Sequence, residues 1–111
     1  MQSVKIVNVS FGERVKIIEP CNLYGCALGD DVFVGPFVEI QANVIIGSRS
    51  KIQSHSFVCE LVSIGNDCFI TMGSIVNSNL KNDSTTINKS TLVYESDSKI
   101  NRILKKKYFN S

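Results

Sequence analysis

Apolar residues return at every sixth position through the middle of the chain: Leu28, Val34, Ile40, Ile46, Ile52, Val58, Ile64, Ile70 and Val76. Two residues before each stand Cys26, Val32, Val38, Val44, Ser50, Ser56, Val62, Cys68 and Ser74, all small or β-branched. Alternation of period two inside a six-residue unit predicts a short strand with two inward side chains, followed by a corner that re-aims the chain. The corners Gly29-Asp30-Asp31, Gly47-Ser48-Arg49 and Gly65-Asn66-Asp67 carry residues that accept tight or left-handed backbone. Three units make a triangular coil of 18 residues, so side chains 18 apart should stack at about 4.8 Å. The ladders Leu28-Ile46-Ile64, Val34-Ile52-Ile70 and Ile40-Val58-Val76 result, and each is purely aliphatic. The fold class is therefore all-β, a single-stranded parallel β-helix.

The register extends back through Phe11, Ile17 and Leu23, with Val9, Val15 and Cys21 before them, but the corner Tyr24-Gly25 has lost a residue. After Val76 the sequence predicts a polar loop over 77–84, with units resuming at Thr85/Ile87 and Thr91/Val93. The β-helix domain is thus expected over 1–95. From Ser96 onward Ile100, Ile103, Leu104 and Tyr108 fall at helical spacing, so 96–111 reads as a short amphipathic helix or tail that covers an edge strand.

The length of 111 residues suits one domain, and the absence of Trp beside many Val and Ile agrees with strands. A net charge of +2 is too small to point to nucleic acid, and no apolar run reaches the roughly 20 residues of a membrane span. The N-terminus lacks the apolar core of a secretory signal, so a cytoplasmic protein is expected. Cys21, Cys26, Cys59 and Cys68 show neither zinc-type CxxC pairs nor the density of a secreted scaffold, and read as thiols.

The stretch from Cys26 to Val76, above all GDDVFVGPFVEIQANVIIG and KIQSHSFVCELVSIGNDCFI, resembles the left-handed β-helix hexapeptide-repeat acyltransferases. It is most similar to nucleotide-sugar N-acetyltransferases of lipopolysaccharide and O-antigen synthesis. That resemblance implies a left-handed coil, a homotrimer, and acetyl-CoA as cosubstrate bound in the groove between neighbouring chains. It further implies transfer of acetyl to the amine of a nucleotide-linked amino sugar. Chains of this kind commonly carry Gly-His-Gly where this one has Thr71-Met72-Gly73, so the family histidine is Met72 here.

Coil arithmetic stacks Gly35-Pro36-Phe37, Gln53-Ser54-His55 and Thr71-Met72-Gly73 on one corner. Acetyl transfer needs a group to take a proton near neutral pH and a donor for the developing oxyanion. His55 is the single imidazole of the chain, and the Gly73 N–H, with no side chain to obstruct a thioester, is the candidate oxyanion donor. Gln53 and Ser54 beside His55, and Asn77 and Asn79 in the expected loop, are candidates for substrate binding, and Met72 with Gly73 for the cofactor. A γ-type carbonic anhydrase would share the coil but needs three histidines around zinc, which one histidine per chain does not supply. Sugar O-acetylation and a non-catalytic β-helix module remain as alternatives. The outward positions Phe33, Phe37, Ile45, Phe57, Leu61, Phe69 and Ile75 are unusually apolar for a monomer and point to self-association.

Overall fold

The computed structural model describes residues 5–87, with Ile103 and Lys106 beyond them. The first coil holds β1 (Lys5–Val7), β2 (Ser10–Phe11) and β3 (Lys16–Ile17). The second holds β4 (Asn22–Tyr24), β5 (Ala27–Leu28) and β6 (Phe33–Val34), and the third β7 (Glu39–Ile40), β8 (Ile45–Ile46) and β9 (Lys51–Ile52). The chain goes on through β10 (Phe57–Val58), β11 (Ser63–Ile64), β12 (Phe69–Ile70) and β13 (Ile75–Val76).

Each strand pairs in parallel with the strand three elements on, which gives three sheets: β1-β4-β7-β10-β13, β2-β5-β8-β11 and β3-β6-β9-β12. The aliphatic ladders are in the expected register, with Leu28 beside Ile46, Ile46 beside Ile64, and Val34 beside Ile52. They form one buried core from Cys21 to Val76. Cys21, Cys26 and Cys68 sit in the small inward positions, and burial pushes the Cys26 thiol up to about 11.

The corners follow a rule. The third residue after most inward aliphatics has a left-handed backbone: Arg14, Asp31, Phe37, Asn43, Arg49, His55, Leu61, Asp67, Gly73 and Asp83, with exceptions at Pro20 after Ile17 and Asn79 after Val76. Its N–H turns back onto the preceding coil, as in Asp31 to Glu13 O at 2.8 Å, Arg49 to Asp30 O at 2.7 Å and Asp67 to Ser48 O at 2.9 Å. Strand N–H groups run the other way, for instance Ala27 to Val44 O and Lys51 to Cys68 O, both 2.9 Å. At the shortened corner Gly25 takes the left-handed place two residues after Leu23, and residues paired across it lie 17 apart, as Leu23 and Ile40 do.

The polar stretch 77–84 stays within the coil. Leu80 bridges Ile64, its N–H donates to Ser63 O at 3.0 Å, and the Asn79 side chain accepts from the Ser63 N–H at 2.8 Å. This coil is shortened to 16 residues, so Thr85 pairs with Phe69 and Thr86 falls inward, whereas Ile87, expected inward, is 76% exposed. Polar partners satisfy the hydroxyl there: Thr86 Oγ1 accepts from the Thr71 N–H at 2.9 Å and meets Ser74 Oγ at 2.9 Å. Removal of two residues from a corner shifts the inward register, a cost the hydroxyl cluster absorbs. The unit expected at Thr91/Val93 lies outside the described residues. Of the tail expected as a helix over 96–111, only Ile103 and Lys106 are described, both helical.

The first corner is a ladder of its own. Asp30, Ser48, Asn66 and Asn82 each accept from a backbone N–H one coil back, at 2.8 to 3.1 Å. Beside them Arg14 clasps Asp31 and Arg49 clasps Asp67 through two hydrogen bonds each, at 2.7 to 3.0 Å.

Truncating a central rung, Ile52→Ala, should cost about 2–5 kcal/mol of unfolding free energy in a denaturant titration, because Ile52 is fully buried. Arg14 and Arg49 hold the Asp31 and Asp67 carboxyls below the ordinary range, chiefly through their hydrogen bonds. Their stabilisation is present above the unfolded carboxylate value, about pH 4, and disappears as pH falls through the lower folded values. The melting temperature should be level from neutral pH to about pH 5 and fall below about pH 4, and Asp31→Asn with Asp67→Asn should flatten part of that fall.

Candidate functional site

The second corner lies between the sheet β3-β6-β9-β12 and the sheet β1-β4-β7-β10-β13. On it the Phe37 and His55 rings stack with centroids 4.9 Å apart and planes 24° from parallel. Both residues have left-handed backbone, with φ of 61° and 62°. This is uncommon for an aromatic side chain and costs about 1–2 kcal/mol where asparagine or glycine would sit easily. Their N–H groups are engaged, Phe37 to Pro20 O at 2.6 Å and His55 to Pro36 O at 3.2 Å. The left-handed corner turns both side chains outward, and the coil spacing sets one ring on the other. The His55 side chain is exposed, with Phe37 as its floor.

Gly73, directly above His55, has φ of 70°, and its N–H donates to Ser54 O at 3.0 Å. That N–H obeys the same corner rule as the others, so it is committed within the chain and is not an open oxyanion donor. The missing side chain, which leaves the third rung of the corner low, is what Gly73 provides. Ser54, half-buried, thus contributes its carbonyl to this bond, and the half-buried Gln53 ties its N–H to Ile70 O at 2.9 Å. Met72 is exposed beside Gly73.

Asn77 and Asn79 do not join this group. Strand β13 separates them from Gly73, so Asn77 stands at the third corner, and Asn79 supports the shortened coil through Ser63. Glu60 is also on the third corner, where its N–H donates to the Gln41 side chain at 3.1 Å.

The two flanks of the second corner differ in charge. Outward on β3-β6-β9-β12 stand Lys16, Phe33, Lys51 and Phe69 in one column. Outward on the other flank stand Asn22, Glu39, Phe57 and Ile75, with Lys5 at the N-terminal end. Tyr24 OH donates to Glu39 Oε2 at 3.0 Å, a bond that raises the phenol above its usual range. Sequence reasoning found the Phe37, His55 and Gly73 alignment but not the lysine and phenylalanine column, although 33, 51 and 69 already stand 18 apart.

Together these features define a hexapeptide-repeat, left-handed parallel β-helix with a candidate site on one corner. Residues 25–60 match the family described as bacterial transferase hexapeptide (six repeats). Among curated relatives, the bifunctional protein GlmU of Pediococcus pentosaceus is 38% identical over 73 residues, covering 63% of this chain and 15% of that protein. The bifunctional protein GlmU of Gloeothece citriformis is 33% identical over 92 residues, covering 76% and 20%. The chain therefore spans only a small part of the length of these relatives.

Among solved structures, a mutant of perosamine N-acetyltransferase from Caulobacter crescentus, in complex with CoA and GDP-perosamine, aligns with a TM-score of 0.67 at 20% identity. That alignment covers 82% of this chain and 53% of that one. The acetyltransferase domain of PglB from Neisseria gonorrhoeae, in complex with acetyl coenzyme A, aligns at 0.61 and 14% identity, covering 71% and 49%. These likenesses establish the fold. No helix among the described residues is long and apolar enough to cross a membrane.

Proposed function

We propose that this chain is an acetyl-CoA-dependent N-acetyltransferase acting on the amine of a nucleotide-linked amino sugar in surface-polysaccharide synthesis. The observation that carries the reading is the exposed His55 imidazole stacked on Phe37, at a corner of a fold shared with acetyltransferases bound to CoA. The acceptor amine attacks the thioester carbonyl, its proton passes to His55, and the thiolate of coenzyme A departs and is protonated. An amine attacks unaided once deprotonated and held in place, so a modestly basic imidazole suffices. Met72 and Gly73 would border the thioester, and Gln53 and Ser54 the acceptor. With the Gly73 N–H bound to Ser54 O, the oxyanion donor comes from elsewhere in the assembly. The exposed Ile45, Leu61 and Ile75 favour association, and we infer a homotrimer with the site at a junction between copies. We place it in the cytoplasm, where nucleotide sugars and acetyl-CoA meet.

The committed Gly73 N–H and the Met72 position favour a second reading, a non-catalytic β-helix module. Titration with coenzyme A separates the two, since a module without a cofactor groove gives no saturable binding.

Acetyl-CoA with a panel of nucleotide-linked amino sugars should release thiol above background, and absence of release from a folded oligomer would sink the enzymatic reading. His55→Ala should have a small effect for an amine acceptor. A loss of about a hundredfold or more would instead indicate a hydroxyl acceptor, which depends on a general base.

A further inference from the structure

We propose that the outer face of the sheet β3-β6-β9-β12 is a nucleotide-binding platform, on which the column Lys16, Phe33, Lys51 and Phe69 takes the base and phosphates of a phosphorylated nucleoside. Parallel pairing fixes the order: Lys16 beside Phe33, Phe33 beside Lys51, Lys51 beside Phe69. Rungs stand about 4.8 Å apart, so the two phenylalanines, and likewise the two lysines, are about 10 Å apart with the other residue type between them. An aromatic ring next to an ammonium is the pairing that a base joined to a phosphate calls for: stacking for the one, charge for the other. Lys16 and Lys51 are exposed, and Phe33 and Phe69 keep part of their rings accessible.

The surrounding charges favour this face over its neighbours. The ion pairs among the described residues are Arg14–Asp31 and Arg49–Asp67, so neither lysine is consumed in one, although Lys51 is near enough to help keep Asp31 ionised. The first-corner acids Asp31 and Asp67 stand two residues before Phe33 and Phe69, and each is clasped by an arginine, Arg14 or Arg49. Toward the second corner the way from Lys51 is free of them: Gln53, Ser54 and His55 follow, and the acid on that corner is Glu19 in the first coil. The opposite flank presents the Glu39 carboxylate beside Phe57 and Ile75, with its lysine, Lys5, two rungs away at the N-terminal end. The sheet β2-β5-β8-β11 presents Ser10, Ala27, Ile45 and Ser63, with no charge to attract it.

Reach ties the platform to the site. Lys51 and His55 are four residues apart, a span of at most about 14 Å, so a ligand whose phosphates sit at Lys51 points its attached sugar toward His55 along the same flank. The choice of ligand rests on the acetyl-transfer reading, but the binding does not need activity to be measured. Two ligands share the chemistry: the nucleoside diphosphate of an amino sugar and the phosphorylated adenosine end of coenzyme A.

The test is isothermal titration of the full chain with UDP, dTDP, GDP and adenosine 3′,5′-bisphosphate, with pyrophosphate alone as the probe for charge without a base. At least one nucleotide should bind saturably and more tightly than pyrophosphate. Lys16→Gln with Lys51→Gln should weaken it about tenfold or more, and Phe33→Leu with Phe69→Leu should remove the advantage over pyrophosphate. Circular dichroism melting confirms that the variants fold, and Ser10→Ala, exposed on the sheet β2-β5-β8-β11, should bind as the parent does. Preference for the diphosphates assigns the platform to the acceptor, and preference for the bisphosphate, with competition by coenzyme A, assigns it to the cosubstrate. Either supports the platform. Absence of binding by every nucleotide, binding indifferent to the lysine pair, or affinity for a single-stranded oligonucleotide without affinity for the mononucleotides would overturn it. Nucleotide binding without thiol release would defeat the acetyl-transfer reading alone, and thiol release without dependence on the lysines would defeat the platform alone.

Discussion

The structure hangs on the left-handed residue that stands three places after most of the inward aliphatics. By taking positive φ it bends the chain through a corner in three residues, and by sending its N–H back to the preceding coil it locks that coil underneath. The strand N–H groups bond forward and the corner N–H groups bond backward, so successive coils are joined in both directions. Backbone polar groups are thereby satisfied without helices or hairpins, and the interior is left to aliphatic side chains stacked at the strand spacing. Side chains that tolerate the left-handed region at low cost, such as Asp and Asn, hold several of these places. Phe37, His55 and Leu61 hold it at a cost that coil packing over-determines.

The same rule governs what each corner can do. On the first corner the left-handed residues alternate Arg14, Asp31, Arg49 and Asp67, and neighbours one coil apart cancel in bidentate pairs. On that corner side-chain oxygens cap backbone N–H groups and the left-handed Arg and Asp side chains pair. On the second corner the left-handed residues are Phe37, His55 and Gly73, which offer an aromatic floor, an imidazole and a gap. The outward chemistry is thus concentrated on the second corner and on its two unlike flanks.

The fold was open to reading because period six is a property of single positions: Leu28 to Val76 are all aliphatic, and no other element competes for them. The meeting of Phe37 and His55 was equally legible, being arithmetic in units of 18. Two things were not. The stretch 77–84 is polar by composition, yet Leu80 alone keeps the first ladder going, and the coil shortens to 16 residues so that Thr86 takes the place expected of Ile87. Periodicity cannot see a deletion that is compensated by hydroxyl pairing. The role expected of the Gly73 N–H was also out of reach, because composition suggests a bare glycine while only the bonding pattern reveals that this N–H belongs to the lock between coils.

That lock has a consequence for chemistry on the second corner. The left-handed N–H groups of the second corner, those of Phe37, His55 and Gly73, are spent on holding coils together, so none of these three serves as an oxyanion donor. Charge that develops on a bound group must be met by side chains, by a neighbouring copy, or by the ligand's own polar groups. The single imidazole on a left-handed corner, raised clear of the coil by the Phe37 ring, is one such side chain. The lysines of the adjoining flank are others, placed where they can hold the phosphates that accompany a small reactive group. A fold that exhausts its backbone in architecture can still host a reaction, provided its outward columns are unlike one another, and here the basic aromatic flank and the acidic apolar one meet at His55.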